Sequence, residues 1–205
     1  MISLFIDTSY KSLFVGIVDN NRLIDQICMM AEANFSEKLI PTIKEIIDKN
    51  NISLEKIDKL FVTVGPGSFT GIRIGLAVCK TLAFALNKRI VPISSLEFMA
   101  TTKVNTKYKI SFIDARHDMV FAGVYDEDNN CVVPDSYTSI ERITNQISDT
   151  FTYISYDNLP NINSITPEYN VLDIVNKHLN DKDFGPHEVN PNYLKKTEAE
   201  EKIDG

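Results

Sequence analysis

The sequence predicts an α/β protein built as two lobes of one βββαβαβα topology, with the second lobe reduced, and three observations carry that prediction. The first hundred residues place three apolar strands ahead of alternating helical stripes and strands. Residues 112–126 repeat residues 5–19 without a gap. Between the two copies lies Leu60 to Leu86, a strand, a glycine turn and a long helix around which the chain is organised.

In chain order, Ile2 to Ile6, Ser12 to Val18 and Leu23 to Met30 read as an antiparallel meander, the last two strands joined by the polar loop Asp19 to Arg22. From Ser36 the pattern changes. Leu39, Ile40, Ile43, Ile46 and Ile47 recur at helical spacing opposite Glu37, Lys38, Lys44, Glu45 and Asp48, which predicts a helix over 36–50. Pro41 is expected near its first turn, where a missing amide costs least. Leu60 to Val64 is a buried strand bounded by Gly65-Pro66. Ser68 or Thr70 can cap the helix over 72–86. A strand from Arg89 to Ser94 and a short helix from Ser95 to Thr102 follow. Strands reached through helical crossovers run parallel to a member of the meander, and right-handed crossovers in the strand order 3-2-1-4-5 put both long helices on one sheet face.

The second half then begins again. Phe5, Ile6, Asp7, Phe14, Gly16 and Asp19 align with Phe112, Ile113, Asp114, Phe121, Gly123 and Asp126. Apolar matches alone arise by chance, but two aspartates and a glycine at matching spacing are harder to dismiss. The expected lobes are 1–104 and 105–187, the second with helices over 139–151 and 166–179 and Pro167 at a helix start. A tail over 188–205 is expected to pack back on the first lobe, its polar end from Lys195 solvated.

The helix after the glycine turn carries only Arg73 and Lys80 as charges and is apolar on every face, so more than its own sheet must cover it. The turn itself invites a phosphate, since backbone amides at a helix N-terminus bind anions. It fails both nucleotide fingerprints: Gly71 comes one place late for a dinucleotide fold, no Gly-Lys-Ser/Thr closes a P-loop, and no acidic residue follows at the expected distance.

A net charge of -7 argues against a broad nucleic-acid surface. Met1 to Asp7 reads as a strand rather than a leader, and no apolar run approaches the ~20 residues of a membrane span. Cys28, Cys79 and Cys131 lack CxxC spacing, and His117, His178 and His187 lack metal-ligand spacing. Reduced thiols in a cytoplasm, surface histidines, no metal and no cofactor are expected.

Duplicated lobes with an aspartate ending each first strand resemble the sugar kinase, Hsp70 and actin superfamily, whose members hold ATP between the lobes. There the aspartate handles metal and phosphates, and a glycine two residues on lets the backbone approach. Here the turns read Asp7-Thr8-Ser9 and Asp114-Ala115-Arg116, without that glycine. The resemblance therefore implies a retained fold and a dismantled nucleotide site. An active kinase or hydrolase using Asp7 and Asp114 is the alternative.

More narrowly, Asp58 to Gly75, with Asp7-Thr8-Ser9, Ser36-Glu37, Ser94-Ser95-Leu96, Asp114-Ala115-Arg116 and Pro191-Asn192-Tyr193-Leu194, resembles the TsaB (YeaZ) family, needed for threonylcarbamoyladenosine beside the tRNA anticodon. The resemblance implies an inactive partner of the catalytic subunit TsaD, joined by the ATPase TsaE. Catalytic relatives carry two metal-binding histidines on the first long helix; this chain has Phe35 ahead of Ser36-Glu37 and no His before residue 117. Two adjacent over-apolar helices are half of a four-helix bundle, which TsaD or a second copy of the chain would complete. The candidate contact residues are Leu39, Ile43, Ile47, Arg73, Gly75, Leu76, Val78, Cys79 and Leu82. Arg73, a cation opposing the dipole in the first turn, is either met by a carboxylate, in its own chain or across the interface, or simply solvated, and glutamate at Leu76 or Val78 is expected to break assembly.

Overall fold

The computed structural model describes residues 1–30 and 34–195. The first lobe is a five-stranded sheet. Strands β1 (Ile2–Asp7), β2 (Ser12–Asp19) and β3 (Arg22–Met30) form the meander. Helix α1 (Phe35–Lys49) leads to β4 (Ile57–Gly65), then α2 (Phe69–Leu86), β5 (Arg89–Ser94) and the short α3 (Ser95–Ala100). The strand order is β3-β2-β1-β4-β5, with β4 and β5 parallel to β1, as right-handed crossovers require.

Alternation along the strands builds two cores. Leu4, Ile6, Val15, Leu60 and Val62 face α1 and α2 on one side, while Phe5, Phe14, Phe61, Val91 and Ile93 face the other. Helix α2 begins one turn earlier than its sequence pattern suggests. Ser68, not Thr70, is the cap, its hydroxyl accepting from the Gly71 amide at 3.2 Å. Pro41 lies inside α1 rather than in its first turn. The expectation about membrane spans also needs correcting: α2 has 18 residues of mean hydropathy 1.5, enough to cross a membrane by length and composition. It lies against its own sheet, with Ile72, Leu76, Cys79 and Ala83 buried.

The second lobe repeats the strand sequence but has no helix between its fourth and fifth strands: β6 (Tyr108–Asp114), β7 (Val120–Asp126), β8 (Cys131–Thr138), α4 (Ile140–Thr144), β9 (Phe151–Ile154), β10 (Ser164–Ile165) and α5 (Val171–Lys177). Its sheet runs β10-β9-β6-β7-β8, the strand order of the first lobe again. Two expected helices are corrected. The stretch 139–151 yields only one helical turn before β9 takes Phe151, and the second helix starts at Val171, capped by Asn170, so buried Pro167 stands before it and not at its start. Helix α5 packs across the first lobe, where Val171, Ile174 and Val175 close the aromatic core of Phe5, Phe14 and Phe98. Further on, Phe184 bridges to Ile90, Val189 is buried among the α1 and α2 residues, and the Asn192 amide donates to the Val64 carbonyl at 2.7 Å. The polar end beyond Lys195 lies outside the described residues.

Candidate partner interface

Chemistry in a two-lobed fold of this kind can reside in the cleft between the first-strand aspartates or on an outer helix face. In the cleft, Asp7 is 2% exposed, and its Oδ1 accepts from the Ser9 amide at 2.8 Å and the Thr63 hydroxyl at 2.5 Å. Burial pushes this carboxyl above the ordinary aspartate range, with those hydrogen bonds pulling it back. Asp114 repeats the arrangement, accepting from the Arg116 amide at 2.8 Å, but is exposed. The duplication is thus visible as one aspartate turn made twice. Its registers differ by one residue, Asp7 pairing with Phe14 and Asp114 with Val120, and the second turn, one residue shorter, runs through left-handed backbone at Arg116, His117 and Asp118.

Asp157 joins the lobes across this space. It accepts from Tyr10 Oη at 2.7 Å, Lys11 Nζ at 2.6 Å and the Asp114 amide at 2.8 Å. Burial and that carboxylate together push the Tyr10 phenol well up. Asp7, Tyr10, Lys11 and Asp157 are thus engaged inside the chain.

The glycine turn has an equally internal role. A Cβ at Gly67 would stand 2.2 Å from the Ser9 carbonyl oxygen, and one at Gly71 would stand 2.1 Å from that of Thr8. Thr8 Oγ1 donates to the Gly71 carbonyl, and the Ser68 amide donates to the Ser9 carbonyl, each at 2.7 Å. The glycines let the two turns press together, backbone on backbone, at the place where the fingerprint suggested a phosphate.

The outer face is different. Between α1 and α2 runs an apolar groove of about 540 Å³, walled by Ile40, Ile43, Ile47, Val78 and Leu82, with Lys44 and Asp48 on its rim. Ile40 is 61% exposed, and Phe84, further along α2, is 71% exposed. Ile43 and Ile47 are nearly buried and form the groove floor; Val78 and Leu82 are half-buried.

Four candidate contact residues are corrected. Leu39, Gly75, Leu76 and Cys79 face inward: three are core side chains, and a Cβ at Gly75 would meet Thr8 Oγ1 at 2.5 Å. Burial also pushes the Cys79 thiol well up, so it is inert. A glutamate at Leu76 would therefore attack the monomer itself. Arg73 meets no carboxylate among the described residues: its guanidinium lies 3.8 Å from the Phe69 ring centre and its Nε donates to Tyr193 Oη at 2.9 Å. Nor is His178 a free surface group, since its ring bonds Glu97 at 2.9 Å and Asp181 at 2.6 Å. Ile40, Ala77, Thr81 and Phe84 were missed as surface positions. On α2 the signal is spacing: 77, 81 and 84 fall on the turn face opposite 72, 76, 79 and 83.

Two lobes of one strand order, first-strand aspartates held by their own turns and an open helix pair define the class: a two-lobed α/β protein with an apolar outer groove. The chain belongs to the family described as TsaD, tRNA N6-adenosine threonylcarbamoyltransferase, whose model matches residues 27–171, and within it to the TsaB (YeaZ) group. The Bacillus subtilis tRNA threonylcarbamoyladenosine biosynthesis protein TsaB is 34% identical over 139 residues, a match covering 66% of this chain and 61% of that relative, less than two thirds of its length. The protein of that name from Buchnera aphidicola of Acyrthosiphon pisum is 28% identical, with 94% of this chain and 97% of the relative covered. YeaZ from Pseudomonas aeruginosa superposes with a TM-score of 0.77 at 20% identity over 94% of this chain and 99% of that one, a likeness of fold.

Proposed function

We propose that the protein is a non-catalytic partner in threonylcarbamoyl transfer to the adenosine beside the tRNA anticodon, and that it acts by binding and stabilising the catalytic subunit TsaD through the α1/α2 groove. One observation carries this reading: Asp7 is buried in its own turn and Asp157 ties the two lobes together across the cleft, while the outer helix pair lacks its covering layer among the described residues. A helix pair presenting Ile40, Val78 and Leu82 is suited to an apolar helix pair from another subunit. A second copy of the chain suits the same groove when TsaD is absent, and TsaE joins the assembled pair. The net charge of -7 leaves tRNA contact to the other subunits, in the cytoplasm.

Val78→Glu tests the reading, because it puts an unpaired charge into the groove without entering the monomer core. The variant is expected to fold and melt like the parent, yet to bind TsaD at least about tenfold more weakly and to support correspondingly less modified tRNA. Unchanged co-elution would place the contact elsewhere. Magnesium-dependent ATP turnover by the isolated chain, lost in Asp7→Asn, would replace this proposal with the kinase or hydrolase reading.

A further inference from the structure

A second cavity, of about 600 Å³, lies where the lobes join, between the end of α3, the linker 103–105, the β7–β8 hairpin and α5. It shares no residue with the groove or with the aspartate turns. At its wall Lys109, on β6, is 4% exposed, and its ammonium makes one hydrogen bond among the described residues, to Asn129 Oδ1 at 3.2 Å. An ammonium carries three donors, and a buried one is costly without acceptors; burial holds this lysine below its ordinary range. Asn176, also in the wall, keeps its buried Oδ1 without a partner.

The remaining charges narrow the class of ligand. Lys177 is already neutralised, its Nζ 2.6 Å from Glu97 Oε1 and 2.5 Å from the Asn129 carbonyl. That leaves the cations Lys103 and Lys109 among the carboxylates of Glu127, Asp128 and Asp173, the last accepting from Asn170 Nδ2 at 2.6 Å, with Asp126 beside Lys109 engaged by the Asn130 backbone and side-chain amides. A simple anion would satisfy Lys109 but meet an excess of negative charge. A polyamine would satisfy the carboxylates but leave Lys109 unpaired. Among the lining residues Val104 alone is aliphatic, so the ligand's body should be polar as well.

We propose that this cavity binds a free amino acid with a basic side chain, its α-carboxylate on the Lys109 ammonium and its cationic groups towards Asp128 and Asp173. The site is independent of the α1/α2 groove, so it stands or falls apart from the partner reading.

Calorimetric titration of the full chain with L-arginine and L-lysine tests it, with L-glutamate and the decarboxylated analogue agmatine as controls. At least one basic amino acid should bind saturably, and both controls should bind at least about tenfold more weakly, since each loses one half of the charge match. Lys109→Met should abolish binding. Should that variant fail to fold, Asp128→Asn, on the exposed rim, should weaken binding at least about threefold. No saturable binding, equal binding of agmatine, or unchanged affinity in folded Lys109→Met or Asp128→Asn would overturn the proposal.

Discussion

The first-lobe sheet is covered differently on its two faces. On one, Phe5, Phe14 and Phe61 are sealed by α3 and α5, and the seal includes a stacked Phe98–Tyr169 pair with ring centres 4.2 Å apart. On the other, α1 and α2 cover the strands but leave a groove between them and keep Ile40 and Phe84 in water. The sealed face recruits a whole helix from the second half of the chain; the open face has its own crossover helices, with Phe184 and Val189 packed against the same core but not lining the groove. A helix pair on one side of a sheet buries one stripe each, and an over-apolar α2 has apolar surface left after that stripe is used. The asymmetry, more than total hydrophobicity, marks the surface suited to a partner.

The contrast can be broken most strongly from the sealed side. Phe98 is fully buried and touches Phe5, Phe14 and Tyr169 at ring distances of 4.4, 5.2 and 4.2 Å. Phe98→Ala should cost about 3–5 kcal/mol of unfolding free energy by denaturant titration, because the ring and its three aromatic contacts are lost together. A loss below about 1 kcal/mol, the size of an exposed substitution, would mean that the two faces are not distinct.

The open face is loose only in its middle. At its N-terminal end α2 is fixed against the β1–β2 turn, where a Cβ at Gly71 would lie 2.1 Å from a backbone oxygen that cannot swing away. Replacing a helical glycine by alanine ordinarily gains about 1 kcal/mol. Here the overpacking should outweigh that gain, and Gly71→Ala should lose about 1–3 kcal/mol on the same measurement. A stabilised variant would show that the two turns are not locked together.

Much of this architecture is legible in the sequence. The first-lobe strands β1, β2 and β4 are near-continuous apolar runs bounded by turn residues, its first long helix carries a full stripe, and two right-handed crossovers fix the common face of both long helices. The second lobe is less legible because its helices are short: Ile140–Thr144 is too brief to show a period, and the start of α5 depends on the Asn170 side chain accepting from the Asp173 amide. The glycine signature is readable, but not its reason, since the oxygens of Thr8 and Ser9 that demand it sit far back in the chain. Nor could the cleft be read, because Tyr10 and Asp157 meet across 147 positions. On α2 the apolar residues on every side hide which positions face inward, so Gly75, Leu76 and Cys79 read as contact positions where Ala77, Thr81 and Phe84 stand; on α1 the adjacent Leu39 and Ile40 both belong to the apolar stripe, and only Leu39 is buried.

The smallest effect sharpens the comparison at the rim of the sealed face, where a histidine ties α5 to α3. Burial alone would lower the His178 pKa, but hydrogen bonds and charge from Glu97 and Asp181 outweigh it, and the group ends above its ordinary value of 6.5. Glu97 in turn is held below its ordinary range, its own burial outweighed by His178 and Lys177. Because the folded chain holds the imidazole proton more tightly than the unfolded chain, this stabilisation is complete below about pH 6.5 and disappears as pH rises through the higher folded value. For a partly exposed pair it should amount to less than about 1 kcal/mol. His178→Gln should remove that pH-dependent increment, so that parent and variant differ in unfolding free energy on the acid side of the histidine range and converge on the alkaline side. A constant difference at every pH would mean that His178 contributes packing alone, and the seal would owe nothing to charge at its edge.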